Sequence, residues 1–159
     1  MNETTKNEKN QKLKDFSNWK KWDDRNGDNL KDPGVYCIAK FRKNIDGKKF
    51  SWIREIVYIG MTNSQGGLQS RLNQFHNTIN GGKGHGGAER FKYKYPKEHG
   101  KNLYVSVNAF KCNVKKKSVD DLKIMGKVAE FEYVCFAKYM ENFNVLPKFN
   151  DPKSLKKDK

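Results

Sequence analysis

The stretches Gly34-Val35-Tyr36 and Tyr58-Ile59-Gly60 each place a tyrosine beside a glycine within a β-favouring run of residues. The segment that joins them contains Asp46-Gly47, a dipeptide typical of two-residue hairpin turns. The sequence therefore predicts an antiparallel hairpin whose two strands carry the two tyrosines.

The register of this hairpin depends on the length of its loop. With Asp46 and Gly47 alone in the loop, Tyr36 lies opposite Val57, whereas one further loop residue places it opposite Tyr58. Because successive side chains of a strand point to opposite faces, this one-residue difference decides whether the two phenols share a face.

The charge balance of the chain points to a polyanionic partner. The 159 residues include 33 lysines and arginines against 18 aspartates and glutamates, which gives a formal net charge of +15. A basic excess of this size favours nucleic acid, and we expect double-stranded DNA; the alternative is that the lysines only keep the surface soluble. The length of 159 residues suits one domain, and the hydrophobic fraction of 35% predicts that its core is small.

The hydropathy of the chain predicts no membrane partner. No apolar run approaches the roughly 20 residues that a membrane-spanning helix needs. Residues 1–14 also lack the apolar region of a signal peptide. We therefore expect a cytoplasmic location.

Composition divides the chain into four parts. The first fourteen residues are polar and are expected to be disordered. Phe16, Trp19 and Trp22 then recur every three residues, which predicts a short amphipathic helix that docks on the domain. The predicted parts are a disordered tail at 1–14, a helical extension at 15–32, the main domain at 33–150 and a basic tail at 151–159.

The main domain is predicted to have an α+β fold. Apolar residues at spacings of four, three and four predict a helix over 68–79. Ser118, followed three residues later by Asp121, predicts the start of a long second helix that continues to about residue 142. Continuous or alternating apolar runs predict a small three-stranded antiparallel sheet, flanked by these helices. The predicted strands are 34–41, 51–60 and 102–112.

A glycine-rich basic segment at 80–101 separates the first helix from the third strand. One interpretation is a mobile loop whose backbone amides and basic side chains contact DNA phosphates. The other is an ordinary surface loop. The candidate DNA-binding residues of this segment are Lys83, His85, Arg90 and Lys92.

Two charged residues interrupt the apolar patterns of the predicted helices. Arg71 lies at the edge of the apolar stripe of the first helix, and Glu132 lies within the stripe of the second. A carboxylate can anchor Mg²⁺, an arginine can hold a phosphate, and a phenol of Tyr36 or Tyr58 can relay a proton. The set therefore suits phosphodiester hydrolysis. The alternative is structural: sheet aromatics, and a buried ion pair between Arg71 and Glu132.

The order of these motifs resembles that of the GIY-YIG nuclease superfamily over residues 33–150. The resemblance rests on the two tyrosine motifs, on Arg71 in the following helix, on Glu132 in a late helix and on Asn144 twelve residues later. The chain is similar in size and plan to the compact phage and restriction members of the superfamily.

The resemblance implies a role for each of these residues. Glu132 would bind a divalent ion, Mg²⁺ or alternatively Mn²⁺, and Arg71 would hold the scissile phosphate. Tyr36 and Tyr58 would lie near the nucleophilic water, and Asn144 would position the product or metal end of the site. Many members carry a histidine or tyrosine four residues after the arginine, where this chain has Phe75.

The resemblance suggests His76 as the catalytic histidine, although it lies five residues after Arg71 rather than four. On a helix it lies about 140° around the axis from Arg71.

The expected function is that of a metal-dependent DNA endonuclease that hydrolyses phosphodiester bonds, of the type II restriction, phage or repair type. One site cuts one strand, so double-strand cleavage predicts a homodimer or a higher oligomer. The alternatives are a nucleic-acid-binding module with the same fold but no hydrolysis, and a structural subunit that binds partners through its aromatic N-terminal segment.

Overall fold

Strand β2 lies in the middle of a four-stranded antiparallel sheet in the computed structural model, which describes residues 3–152. The strands lie in the order β1-β4-β2-β3. Their bounds are Lys20–Lys21 for β1, Gly34–Lys40 for β2, Ile56–Thr62 for β3 and Leu103–Ala109 for β4. The α+β class is confirmed, but the prediction of three strands is wrong because the short strand β1 adds a fourth on β4.

The register between β2 and β3 differs from both predicted alternatives. Tyr36 pairs with Gly60 and Ile38 pairs with Tyr58, with a bulge after Ile38. Directly paired residues point to the same face, so both phenols lie on one face as diagonal neighbours.

The Asp46-Gly47 turn forms, but it does not set this register. Residues 41–55 connect the two strands, and the turn lies within this longer connection. Its backbone bonds instead to the N-terminal segment: Gly47 N donates to Trp19 O at 2.7 Å, and Trp19 N donates to Lys48 O at 2.9 Å.

The two predicted helices of the domain are confirmed. Helix α2 spans Gly67–Ile79, and helix α4 spans Val119–Phe143. Helix α4 begins with a capping box in which Ser118 and Asp121 satisfy each other's backbone amides. The glycine-rich segment contains a further helix, α3, at Gly86–Lys94, which the sequence did not predict.

The helices cover opposite faces of the sheet. Helix α4 packs on the face that carries Val35, Cys37 and Ile59. Helices α2 and α3 pack on the other face, which carries Tyr36 and Ile38. Each face therefore has its own hydrophobic core, and β2 is buried on both sides.

The prediction of disorder for the first fourteen residues is wrong over the part that the structure describes. Residues Glu3–Leu13 form helix α1. The helix is held to β4 because Lys12 Nζ donates to Ala109 O at 3.0 Å and Asn108 Nδ2 donates to Lys12 O at 2.7 Å. These tertiary bonds fix a segment whose composition alone favours disorder.

The segment 15–32 is not the predicted amphipathic helix. It runs along β4, where Ser17 N donates to Val107 O at 2.8 Å, and then forms two short 3-10 turns. Phe16 and Trp19 enter the core under α4, whereas Trp22 enters the core on the other face. A single helix face could not serve both cores.

No helix within residues 3–152 is long and apolar enough to span a membrane. Of the predicted basic tail at 151–159, residues 153–159 lie outside the described residues.

Candidate active site

The two phenols meet at the edge of the sheet, because β3 is an outer strand. The ring centroids of Tyr36 and Tyr58 lie 6.0 Å apart. A Cβ atom at Gly60 would lie 2.5 Å from Cζ and from the hydroxyl oxygen of Tyr36. The glycine of the second motif is therefore required so that the phenol of Tyr36 can lie across the edge strand.

His85 fixes the hydroxyl group of Tyr36 from the other side. The residue is the N-cap of α3, and its Nδ1 accepts a hydrogen bond from Ala88 N at 3.2 Å. We therefore assign the proton of the neutral ring to Nε2, which lies 2.9 Å from the Tyr36 hydroxyl and donates to it. Burial, with Arg71 nearby, lowers the pKa of His85 to about 3, so the ring is neutral at pH 7.

Arg71 reaches the phenols from α2. Its Nη1 donates to Gln74 Oε1, whereas its Nε is buried and has no hydrogen-bond partner among the described residues. Burial raises the pKa of Tyr36 well above its ordinary value, and Tyr58 raises it further, whereas the charge of Arg71 opposes this shift. Both phenols remain protonated at neutral pH, because burial also raises the pKa of Tyr58.

Glu132 joins the cluster from α4, on the opposite face of the sheet. Its half-buried carboxylate acts electrostatically on both Tyr36 and Tyr58. Burial raises the pKa of Glu132, and the charge of Arg71 opposes this shift. The structure thus brings together the four residues on which the prediction of catalysis depends.

The other two predicted catalytic residues lie elsewhere. Asn144 is exposed at the C-terminal end of α4 with a φ of 61°. At 1.5 Å per residue it lies about 18 Å along the helix from Glu132. His76 faces the N-terminal segment, where its Nδ1 accepts a hydrogen bond from Trp22 Nε1 at 3.0 Å.

The four candidate DNA-binding residues separate into two groups. Lys83 is exposed, and Lys92 Nζ donates to Gly82 O at 3.2 Å, so both belong to the surface of the glycine-rich segment. Arg90 is half-buried and acts electrostatically on Tyr58. His85 is fully buried, which excludes the surface role predicted for it in this conformation and makes it part of the cluster.

The sequence did not predict two features of this edge of the sheet. One is the place of His85 beside Tyr36, for which the following pair of glycines was the available signal. A Cβ atom at Gly87 would lie 2.4 Å from the ring of Tyr58, so the glycine lets α3 approach the phenol.

The other missed position is Asn150, whose side chain pairs with the outer edge of β3. Its Oδ1 accepts from Ile59 N at 2.8 Å, and its Nδ2 donates to Ile59 O at 2.7 Å. The side chain thereby satisfies backbone groups that an edge strand would otherwise leave open. The sequence contains no spacing that distinguishes Asn150 from Asn144.

The cluster offers a divalent cation a single charged ligand, the carboxylate of Glu132. Within residues 3–152 no group of three histidine, cysteine, aspartate or glutamate side chains is arranged to hold a metal ion. Mg²⁺ is commonly held by one or two carboxylates and otherwise keeps its waters or takes substrate phosphate oxygens. Glu132 meets this requirement because its carboxylate forms no salt bridge with a lysine or arginine of the described residues.

Comparison of the chain with family models, with curated proteins and with solved structures finds no match.

Proposed function

We propose that the protein is a metal-dependent DNA endonuclease that hydrolyses phosphodiester bonds, with a site of the GIY-YIG type. The observation that carries this proposal is the meeting of Tyr36, Tyr58, Arg71 and Glu132 at one edge of the sheet. These residues come from four different elements, so a shared structural role for all of them is a poor explanation of their proximity.

Arg71 has the properties of a phosphate ligand. Its Nε is a buried donor without a partner, which is costly unless another group binds there. A guanidinium matches the oxygens of a phosphodiester and offsets the charge that develops in the transition state. Arg71 therefore holds the scissile phosphate and stabilises the transition state.

The two phenols have different places in the proposed site. Tyr36 is fully buried and is held by His85, whereas Tyr58 is half-buried and reaches the solvent side. Tyr58 is therefore the phenol in contact with the attacking water, and Tyr36 orients the reacting groups from its buried position. Both phenols are protonated in the free protein, so proton transfer through either needs the positive charge of the assembled site.

Glu132 would hold the metal ion. A bound Mg²⁺ or Mn²⁺ would supply Lewis-acid stabilisation of the phosphate oxygens. Burial raises the pKa of the free carboxylate, which is the cost of keeping a negative charge at this position.

The proposed substrate is double-stranded DNA, in agreement with the formal charge of +15. Each chain carries one such cluster and would cut one strand. Double-strand cleavage would then need a homodimer or a higher oligomer. Such a protein would serve as a type II restriction enzyme, or as a phage or repair nuclease, in the cytoplasm.

The test is nicking of supercoiled plasmid in Mg²⁺ and in EDTA. We expect the wild-type protein to nick in Mg²⁺ only, and Arg71→Ala to lose at least about 10³-fold of this rate while it remains folded by circular dichroism. Full activity of Arg71→Ala would contradict the proposal.

A second candidate is a DNA-binding module without hydrolysis. The observation in its favour is that Glu132 is the single carboxylate of the cluster, where many hydrolases use several metal ligands. This candidate predicts salt-sensitive retention of DNA and no nicks after long incubation in either Mg²⁺ or Mn²⁺.

A further inference from the structure

Arg90 is held beside the proposed site by the C-terminal segment. Its Nε donates to Phe149 O at 2.8 Å. Phe149 precedes Asn150, whose side chain is bonded to β3, so the same segment fastens the edge strand and the arginine. One donor of the guanidinium is therefore fixed in orientation, and the two terminal nitrogens remain for a ligand.

The terminal nitrogens lie at the first turn of α3. A Cβ atom at Gly86 would lie 3.4 Å from Nη1 of Arg90. This position places the guanidinium next to His85, and its charge acts on both His85 and Tyr58. The charge of Arg71 acts on the same two side chains. The phenol of Tyr58 thus lies within reach of two arginines.

The positive charge at this edge is not balanced within the protein. Among residues 3–152 neither Arg71 nor Arg90 forms a salt bridge with a carboxylate. Among the described residues, Glu132 is the one carboxylate whose charge acts on Tyr58 together with Arg71 and Arg90. Two half-buried guanidinium groups act on the same two side chains, Tyr58 and His85, and a bound anion would offset their positive charge.

We propose that Arg90 holds the phosphate adjacent to the scissile phosphate, so that the bound DNA strand runs from Arg71 past Tyr58 to Arg90. The inference rests on the proposed nuclease function and names a substrate-positioning residue of the same site. Arg71 would act in the transition state, whereas Arg90 would act in binding.

The test separates binding from cleavage. A short duplex is bound in EDTA at a series of NaCl concentrations, and the logarithm of the binding constant is plotted against the logarithm of the salt concentration. Because each neutralised phosphate contributes about 0.9 to this slope, we expect Arg90→Ala to reduce it by about that amount. Lys115→Ala is the matched control: it removes one exposed positive charge from the turn that precedes α4, whose first residue lies about 20 Å along the helix from Glu132, and should leave the slope unchanged.

Kinetics in Mg²⁺ give a second readout. Arg90→Ala should raise the KM for DNA by about tenfold and change kcat by less than about twofold, because binding before the chemical step is weakened. If Arg90→Ala does not fold, Arg90→Gln removes the charge and retains a donor for Phe149 O.

An unchanged salt slope in Arg90→Ala, or an equal decrease in Lys115→Ala, would overturn the proposal about Arg90 even if the protein is a nuclease. Conversely, wild-type protein that binds DNA with the expected Arg90 contribution but never nicks would refute the nuclease function and retain Arg90 as a phosphate contact.

Discussion

The two faces of the sheet are built from the same strands but differ in chemistry. The face under α4 is filled by aliphatic, aromatic and cysteine side chains such as Val35 and Cys37. The face under α2 and α3 also has an apolar core, but Tyr36, Tyr58 and His85 interrupt it with polar atoms near the β3 edge. Neighbouring residues of β2 therefore lie in different environments.

This difference shows how one short strand can serve stability and chemistry separately. Side chains alternate between the faces, so Val35 contributes only apolar packing to the core under α4, whereas Tyr36 contributes a polar group to the site. Substitutions at neighbouring positions should therefore have separable effects on stability and on activity.

The largest difference in activity at similar stability is expected between Tyr36→Phe and Val35→Ala. Tyr36→Phe removes the acceptor of His85 Nε2 and leaves a buried donor unpaired, which should cost about 1–2 kcal/mol of the free energy of unfolding. Val35→Ala removes two buried methyl groups on the other face and should cost about 2 kcal/mol. Urea unfolding measures both losses.

Although the two variants lose similar stability, their activities should differ. We expect the plasmid-nicking rate per folded molecule to fall by about 10²-fold in Tyr36→Phe and to stay within about twofold in Val35→Ala. Equal activity in the two variants would show that the polar face has no special part in catalysis.

A smaller effect is expected in the pH dependence of stability. His85 has a pKa of about 3 in the folded protein against 6.5 in the unfolded chain, so the unfolded state binds the extra proton between these values. Stability is therefore lost as pH falls from 6.5 towards 3, by at most about 1.4 kcal/mol per pH unit for this residue.

His85→Gln removes this titration but retains an acceptor for the cap of α3. We expect the loss of unfolding free energy between pH 6.5 and pH 4.5 to be about 2 kcal/mol smaller in the variant than in the wild type. Parallel losses in the two proteins would mean that His85 is not buried in its neutral form.

The sequence predicted those parts of the fold that local patterns determine. Helices α2 and α4 follow from apolar spacing, and the start of α4 follows from Ser118 and Asp121. Arg71 and Glu132 stood out because a charge within an apolar stripe conflicts with the pattern around it. The same patterns located Tyr36 and Tyr58, which the structure places on one face.

The rest depends on contacts between distant parts of the chain. The turn at Asp46-Gly47 pairs with Trp19 rather than closing the hairpin, so the register could not be read from it. Helix α1 is polar on all sides and is held by its bonds to β4. His85 enters the site through its position at the cap of α3, within a segment whose glycines favour a loop.

The most direct measurement of the central claim compares Glu132→Gln with Glu130→Gln in the plasmid-nicking assay. Both residues lie on α4, but Glu130 is exposed and pairs with Lys9, whereas Glu132 faces the cluster. The raised pKa of Glu132 means that its ionisation costs stability at neutral pH, so Glu132→Gln should unfold at a higher temperature in EDTA than the wild type does.

We predict that Glu132→Gln loses at least about 10³-fold of the nicking rate in Mg²⁺ despite this added stability, and that Glu130→Gln retains it within about twofold. Wild-type nicking by Glu132→Gln, or equal losses in both variants, would contradict the assignment of the active site.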